Sequence, residues 1–395
     1  MVMKKASEEY RVFQVIQHFL PLKEIKKIEE YVPKSNKYYP LFIYLYNRVV
    51  LLCNKVPLRK NGDNSLLHPL SVMHSLKLSG VNDVVTYCIA LSHDYVEDMV
   101  DLYAKKNNIS NDNGGNRKLR AYEKKLFAEI QNDLKEICKR ESIDCSISYT
   151  IIKALNLLTR HKGEFYYVSI SEIFNCDDEE IKERALQVKL ADATHNIHCV
   201  ETFDEPRMLY TCFKNLFILN STKDYLVQKY GKDIFYGESS ISSRKLFAKC
   251  AKATFGVLID VCDSCKMKRI VEVIYILELA FKKYVFIKAG LGGVTDINPN
   301  EPHPMRLYQA VIRKYDHRLH HEYKEFDKRR KSEMDYCKKF FKDFKFNDEQ
   351  LKAIINYKDA YALKEVMARL LYQPKYYLTK FISSELSMKG RIRKR

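Results

Sequence analysis

The chain has few of the residues that punctuate β structure and no apolar run long enough to cross a membrane. Its 395 residues include only 12 glycines and 10 prolines. β-Hairpin signals are correspondingly sparse while helical periodicity dominates, so the fold expected is all-α. The longest apolar stretch, Val271 to Ile287, is broken by Glu272, Glu278, Lys282 and Lys283. No N-terminal apolar core of a secretory signal is present either, so neither a membrane span nor signal-directed export is expected, and a cytoplasmic location is. The eleven cysteines are scattered. Their one close pair, Cys262 and Cys265, lacks the second pair or spaced histidines that would complete a zinc site, so reduced and largely buried thiols are expected. Gly290-Leu291-Gly292-Gly293 lacks the Gly-Lys-Ser/Thr ending of a phosphate-binding loop and reads as a hinge or linker. No internal repeat is visible.

What is present is a globular composition, 46% hydrophobic, with 68 Lys and Arg against 50 Asp and Glu for a formal charge of +18. That balance favours anionic partners: nucleotides, RNA or acidic membranes. The length suits two domains, or one with a large helical extension. A helix over Tyr10 to Leu20 stops at Pro21. Pro40 opens another running to about Lys55, Pro69 one ending at Gly80, and Asn82 or Asp83 caps a third over Val84 to Asp98. The Asn- and Gly-rich stretch from Lys105 to Arg117 predicts a loop near the rim of a site. Further helices are expected over about 118 to 140, 147 to 158, 178 to 200 and 205 to 230. After a Gly- and Pro-rich separator from Gly290 to Pro304, Pro304 to Phe344 reads as one long helix or a broken pair, with Asn347 and Gln350 placed to cap a successor.

The chemistry gathers at three separate stations: His68-Pro69, His93-Asp94-Tyr95-Val96-Glu97-Asp98, and Lys189-Leu190-Ala191-Asp192. In the helix carrying Asp192 the buried stripe is Ile181, Ala185 and Val188. Eleven residues at 100° each return almost to the starting angle, which sets Asp192 on that apolar stripe. A buried, unpaired carboxylate costs several kcal/mol, so it needs a cation, a donor network or a raised pKa. His93 and Asp94 close an equally apolar segment, with eight apolar residues among the fourteen from Val85 to Asp98. Taken singly, each reads more readily as a hydrogen-bonded core residue. Together, His68, His93, Asp94 and Asp192 offer two imidazoles and two carboxylates, a donor set suited to Mn²⁺ or Fe²⁺ and acceptable to Zn²⁺. Glu97 and Asp98, one helical turn further on, are placed as catalytic carboxylates: Glu97 as proton acceptor or water-orienting group, Asp98 in support.

These stations resemble the HD-domain hydrolase of the RelA/SpoT homologues. The run Arg59-Lys60-Asn61-Gly62-Asp63-Asn64-Ser65-Leu66-Leu67-His68-Pro69 is similar to the family's Arg-Lys-Ser-Gly to His-Pro stretch. His93 to Asp98 is similar to its His-Asp-x-x-Glu-Asp, and Lys189 to Asn196 to its Lys-Leu-Ala-Asp-Arg-x-His-Asn, in the same order. The resemblance covers about residues 36 to 225. It implies an all-α HD-domain helical bundle, here with an additional helical C-terminal region. The chain would divide into N-terminal helices (1–35), the phosphohydrolase domain (36–232) and a C-terminal helical region (233–395). It also implies one Mn²⁺ held by His68, His93, Asp94 and Asp192, with Arg59 and Lys60 packing on a guanine base and Asn196 near the sugar and base.

The activity implied belongs to the stringent response: removal of the 3′-pyrophosphate of ppGpp or pppGpp by water activated at the metal. No synthetase half is recognisable. The substrate wall departs from the family's pattern. Asn64-Ser65 stands where Pro-Tyr is usual, Ala193 replaces an Arg, Cys199 replaces a Thr, and Asp94 and Asp192 are 98 residues apart, a longer interval than is typical. Chemistry therefore transfers better than substrate identity. The alternatives are an HD-fold phosphatase acting on another nucleotide such as NADPH, and a catalytically weak HD protein whose basic C-terminal region docks RNA or another acidic partner. Weaker signals are Thr159-Arg160-His161-Lys162, a basic turn able to hold phosphates or to complement a helix dipole; His317, His320 and His321, read as a solvated face; and the basic tail Lys389 to Arg395.

Overall fold

The computed structural model describes residues 22–110, 112–164, 166–274, 323–374 and 376. The expected helix over Tyr10 to Leu20, the separator from Gly290 to Pro304, the histidines at 317, 320 and 321 and the basic tail lie outside these residues. Among the described residues every regular element is helical and there is no strand, so the all-α expectation holds. None of these helices is long and apolar enough to cross a membrane. The principal ones are α1 (Tyr39–Cys53), α2 (Leu67–Leu78), α3 (Val84–Ser92), α4 (Tyr95–Lys106), α5 (Asn113–Arg140), α6 (Ser146–Leu158), α7 (Tyr166–Phe174), α8 (Glu179–His198), α9 (Glu205–Tyr230), α10 (Ser242–Met267), α11 (Tyr323–Phe340) and α12 (Asp348–Tyr372). All eleven cysteines are free thiols, most of them buried.

The chain forms two compact units. The first holds the described residues up to Thr202 together with Tyr225–Cys250; the second holds Phe203–Asp224 and the described residues from Ala251 onward. In the first unit α3 is the central element. All nine of its residues are buried, and it packs against α1, α2, α6 and α8. A helix apolar on every side belongs in the middle of a bundle rather than on its surface. Asp83 sets where α3 begins, accepting from the Val85 and Thr86 amides at 3.2 and 3.0 Å. The same carboxylate takes Arg184 Nε at 2.8 Å, which ties the start of α3 to α8.

One helix was expected from Val84 to Asp98, yet the chain breaks at His93-Asp94 into α3 and α4. The reason lies in side chains that compete for helical carbonyls. His93 Nδ1 lies 2.7 Å from the Ala90 carbonyl, the group a continuing helix would offer to the Asp94 amide. Ser92 Oγ donates to the Cys88 carbonyl at 2.7 Å. The turn so made carries His93 and Asp94 at the junction of two helices instead of within one.

The loop expected from Lys105 to Arg117 is shorter than its composition suggests. α4 runs to Lys106, and Gly114, Gly115 and Asn116 already belong to the first turn of α5. Asp112 caps that turn, accepting from the Gly115 amide at 2.7 Å. This local capping bond outweighs the low helix propensity of the glycines. Helix α7 had no counterpart in the sequence reading, and α10 none either.

In the second unit, Asn347 and Gln350 form the capping box expected at the start of α12. α11 and α12 are joined by a buried ion pair, Lys358 Nζ to Glu333 Oε1 at 2.5 Å. Lys223, fully buried, donates to the Leu370 and Gln373 carbonyls at 2.7 and 2.8 Å and so satisfies the end of α12.

Gly115 is a position where the fold requires glycine, because an added Cβ would stand 1.8 Å from the Ser110 carbonyl oxygen. Gly115→Ala should lower unfolding stability by about 1–3 kcal/mol. Gly114→Ala, whose methyl would meet only Asp112 Oδ1 at 3.3 Å, should cost less than half as much. Thermal melts of the two variants check the difference.

Candidate metal centre

The three stations converge at the inner ends of α2, α3 and α4 and on the buried face of α8. His68, near the start of α2, turns Nε2 towards His93 Nε2 at 3.1 Å. Asp94 reaches both rings, Oδ2 at 3.2 Å from His68 Nε2 and Oδ1 at 3.3 Å from His93 Nε2. Asp192 Oδ1 closes the group from α8, 3.4 Å from His68 Nε2 and 3.7 Å from His93 Nε2. One donor atom each from His68, His93 and Asp94 lies within 4.8 Å of the others, as a shared cation requires. His68, His93 and Asp192 are buried, whereas Asp94 keeps 44% of its side-chain exposure and opens the group to one side.

Neighbouring groups prepare these atoms for a cation. A carbonyl can only accept, so the Ala90 contact puts a proton on His93 Nδ1 and turns Nε2, the nitrogen that could bind a cation once its own proton is lost, towards the cluster. His68 Nδ1 lies 3.0 Å from His195 Nδ1. His195 is held neutral, its pKa lowered to about 2 by burial first and then by the neighbouring imidazole of His68. It can therefore accept from His68 and leave that ring's Nε2 free. Asp192 is anchored from both sides, by Lys189 Nζ at 2.9 Å and Asn196 Nδ2 at 2.6 Å. Burial opposes ionisation of this carboxyl, but Lys189 and the two imidazoles hold its pKa well below the usual range. Burial also opposes charge on His93, and there Asp94 and Asp192 win, raising it to about 9. A proton thus occupies the position a cation would take.

A divalent ion about 2.1 Å from each donor would space neighbouring donors by about 3.0–3.4 Å, depending on its coordination angle. The observed 3.1–3.7 Å falls close to that spacing. The donor chemistry and the spacing both fit a cation such as Mn²⁺.

The two carboxylates after the break point in different directions. Glu97 Oε1 accepts from the Arg160 amide at 2.6 Å. Its pKa is raised, by burial first and then by Asp94. Asp98 instead lines a cavity of about 390 Å³ shared with His68, Asp94 and Arg59. Burial, Asp94 and Glu97 push Asp98 up to about 7. Sequence spacing favoured Glu97 as the water-side group; in the structure Asp98 stands on the cavity wall.

Arg59 also lines that cavity and donates from Nη2 to Asn196 Oδ1 at 3.0 Å, completing a chain Arg59–Asn196–Asp192. A tight turn aims it: the Arg59 amide donates to the Asp63 carbonyl at 3.0 Å, and Gly62 adopts φ +83°. Lys60 is exposed and is not among the residues lining the cavity. The basic turn at 159–162 is bound to neighbouring helices. His161 Nδ1 lies 3.0 Å from Glu123 Oε2, and Lys162 pairs with Asp101.

His195 and Lys189 belong to the motif matched by resemblance, but the sequence assigned neither a role. The signal was their spacing, three residues to either side of Asp192, which sets all three on one helical face.

His195→Leu should weaken Mn²⁺ binding about 10–100-fold, because the leucine cannot accept from His68 and leaves that buried N–H without its partner. Calorimetric titration of the metal checks this. The His93 proton must leave before Nε2 can bind a cation, so Mn²⁺ affinity should rise by up to about tenfold per pH unit between pH 6.5 and 9, then level off. The ion-free protein should behave oppositely. Stability that His93 contributes below its ordinary value of 6.5 is lost as pH climbs through about 9. Competition titrations and melts across that range test both signs.

The chain matches no protein-family model, and neither a curated protein nor a solved structure matches it.

Proposed function

We propose that this protein is a metal-dependent nucleotide phosphohydrolase of the HD type, removing the 3′-pyrophosphate of ppGpp or pppGpp. The observation that carries the reading is the meeting of His68, His93, Asp94 and Asp192, from three distant stretches of chain, beside a cavity lined by Asp98 and Arg59. These four residues would hold a single Mn²⁺, which supplies Lewis acidity towards a phosphoryl oxygen.

The chain's own groups divide the remaining work. Asp98, with a proton affinity near neutrality, takes the proton of the attacking water. Glu97 is fixed by the Arg160 amide and holds the first turn of α4 in place. Arg59 offers a flat guanidinium on the cavity wall, suited to stacking on a base. Asn196 links Arg59 to Asp192, so the residue that orients the nucleotide is mechanically coupled to a residue that holds the ion.

A second reading keeps the chemistry and changes the nucleotide, for example to the phosphate of NADPH. It is favoured by the wall behind Arg59, where Cys199 Sγ lies 3.8 Å from Asn61 Nδ2 and 3.9 Å from His195 Nδ1. A thiol there offers a weaker hydrogen bond to a substrate than the hydroxyl of the threonine expected by resemblance.

Incubation with Mn²⁺ and a nucleotide panel, followed by chromatography, separates the two readings. Pyrophosphate release indicates the first and orthophosphate the second. Asp192→Ala should abolish both metal binding and turnover. Asp98→Asn should lower kcat by roughly 10²–10⁴-fold while leaving metal affinity within about threefold. Wild-type protein that binds Mn²⁺ yet releases neither product from any nucleotide would overturn the proposal.

A further inference from the structure

The cavity beside the donor set is longer than one phosphate needs, and its chemistry changes along its length. On α4 it is lined by Asp94, Asp98, Asp101, Leu102 and Lys105. These residues recur at helical spacing, so a single face of α4 forms one wall from end to end. The eleven residues from Asp94 to Lys105 rise about 16 Å and return to nearly the same angle. One end of the wall is the metal centre. The other is a lysine.

Between the ends the surface suits a neutral group. Leu102, on the same face of α4 between Asp98 and Lys105, supplies apolar area, and Leu52, Val56 and Leu91 line the same cavity. Asp98 would repel a phosphate lying across it but accept from N–H or O–H donors, and Asp101 beyond it is paired with Lys162. At the outer end the preference reverses. Lys105 stands there, exposed, while Lys55 lines the same cavity and is also exposed, and neither has an ion-pair partner among the described residues. Helical side chains lean towards the helix N-terminus, so the ~6 Å stem of Lys105 can bring its ammonium back to within roughly 10 Å of the donor set.

We propose that Lys105, assisted by Lys55, forms a second anion subsite that recognises a phosphate carried by the substrate away from its reacting end. The inference rests on the phosphohydrolase reading for the reacting end, but the subsite itself is a matter of binding. Lys105 is a specificity residue, since it touches a remote group and not the atoms that react. The substrate favoured is a nucleoside phosphorylated at two separated positions, its base on Arg59, its sugar over Leu102 and its two anions at the ends of the slot.

The test measures equilibrium binding of guanosine 3′,5′-bisphosphate, guanosine 3′-monophosphate and guanosine 5′-monophosphate to the full Mn²⁺-loaded chain on ice, with products followed separately by chromatography. Wild type should bind the bisphosphate about tenfold or more tightly than either monophosphate. Lys105→Gln should erase that preference, leave the 3′-monophosphate unchanged, and be rescued by Lys105→Arg. The subsite is refuted if Lys105→Gln binds the bisphosphate as wild type does, if it weakens bisphosphate and 3′-monophosphate equally, or if wild type binds none of the three. Preference for the bisphosphate without turnover of any nucleotide would sink the hydrolase reading and leave the subsite standing. Turnover with equal affinity for all three would do the reverse.

Discussion

A carboxylate inside an apolar helix bundle is the constraint on which the rest of the first unit is arranged. Asp192 occupies a face of α8 otherwise given to Ile181, Ala185 and Val188, and it is 5% exposed. It persists there because each of its oxygens has a donor and two imidazoles face it. Removing one partner from such a group would leave a buried charge uncompensated, which costs far more than the pair contributes when whole. Lys189 and a protonated His93 supply that compensation in the absence of an ion. The four side chains are thus held in place by contacts of the protein's own.

That arrangement depends on α3. A helix buried on all sides is fixed by packing in every direction, so the turn that follows it is placed with little freedom. The same turn delivers His93 and Asp94 side by side and starts α4 in a new direction, which carries Asp98 onto the cavity wall. Two local hydrogen bonds, from Ser92 and from His93 itself, make the break. The contact that ends α3 is also the one that leaves His93 Nε2 facing inward. One hydrogen bond thus sets both the backbone and the tautomer.

Much of this was legible in the sequence, and what was not has definite causes. Helical periodicity and caps located α1, α2, the start of α3, α6, α8 and α9 within a few residues. The stripe argument placed Asp192 in the core before any coordinates did. The break at His93 was invisible because periodicity reports which residues are apolar, and α3 is apolar on every face, so its pattern runs into α4 without a change of phase. The Asn- and Gly-rich segment misled for the converse reason. Propensity argues for a loop, but one carboxylate bond from Asp112 starts α5 regardless, and the close approach of Ser110 gives Gly115 a packing role. His195 was overlooked because its partner is His68, 127 residues earlier in the chain, a contact that only the folded chain brings about.

Charge accounts for how an anion would come to such a place. The chain carries +18 overall, a field that draws anions towards it from a distance. The site itself is acidic: Asp94, Asp98, Glu97 and Asp192 stand together with Lys189 and Arg59 as the nearby cations. Long-range attraction therefore delivers a phosphate to a mouth that rejects it at short range until positive charge is added at the donor set. On the proposed reading the cation binds first and the nucleotide second. The outer lysines can hold a remote phosphate in either state, but the reacting phosphoryl group has no reason to enter before the ion. On that reading an acidic pocket on a basic protein would be an ordering device, in which the carboxylates that would hold the metal exclude the substrate until the ion is bound.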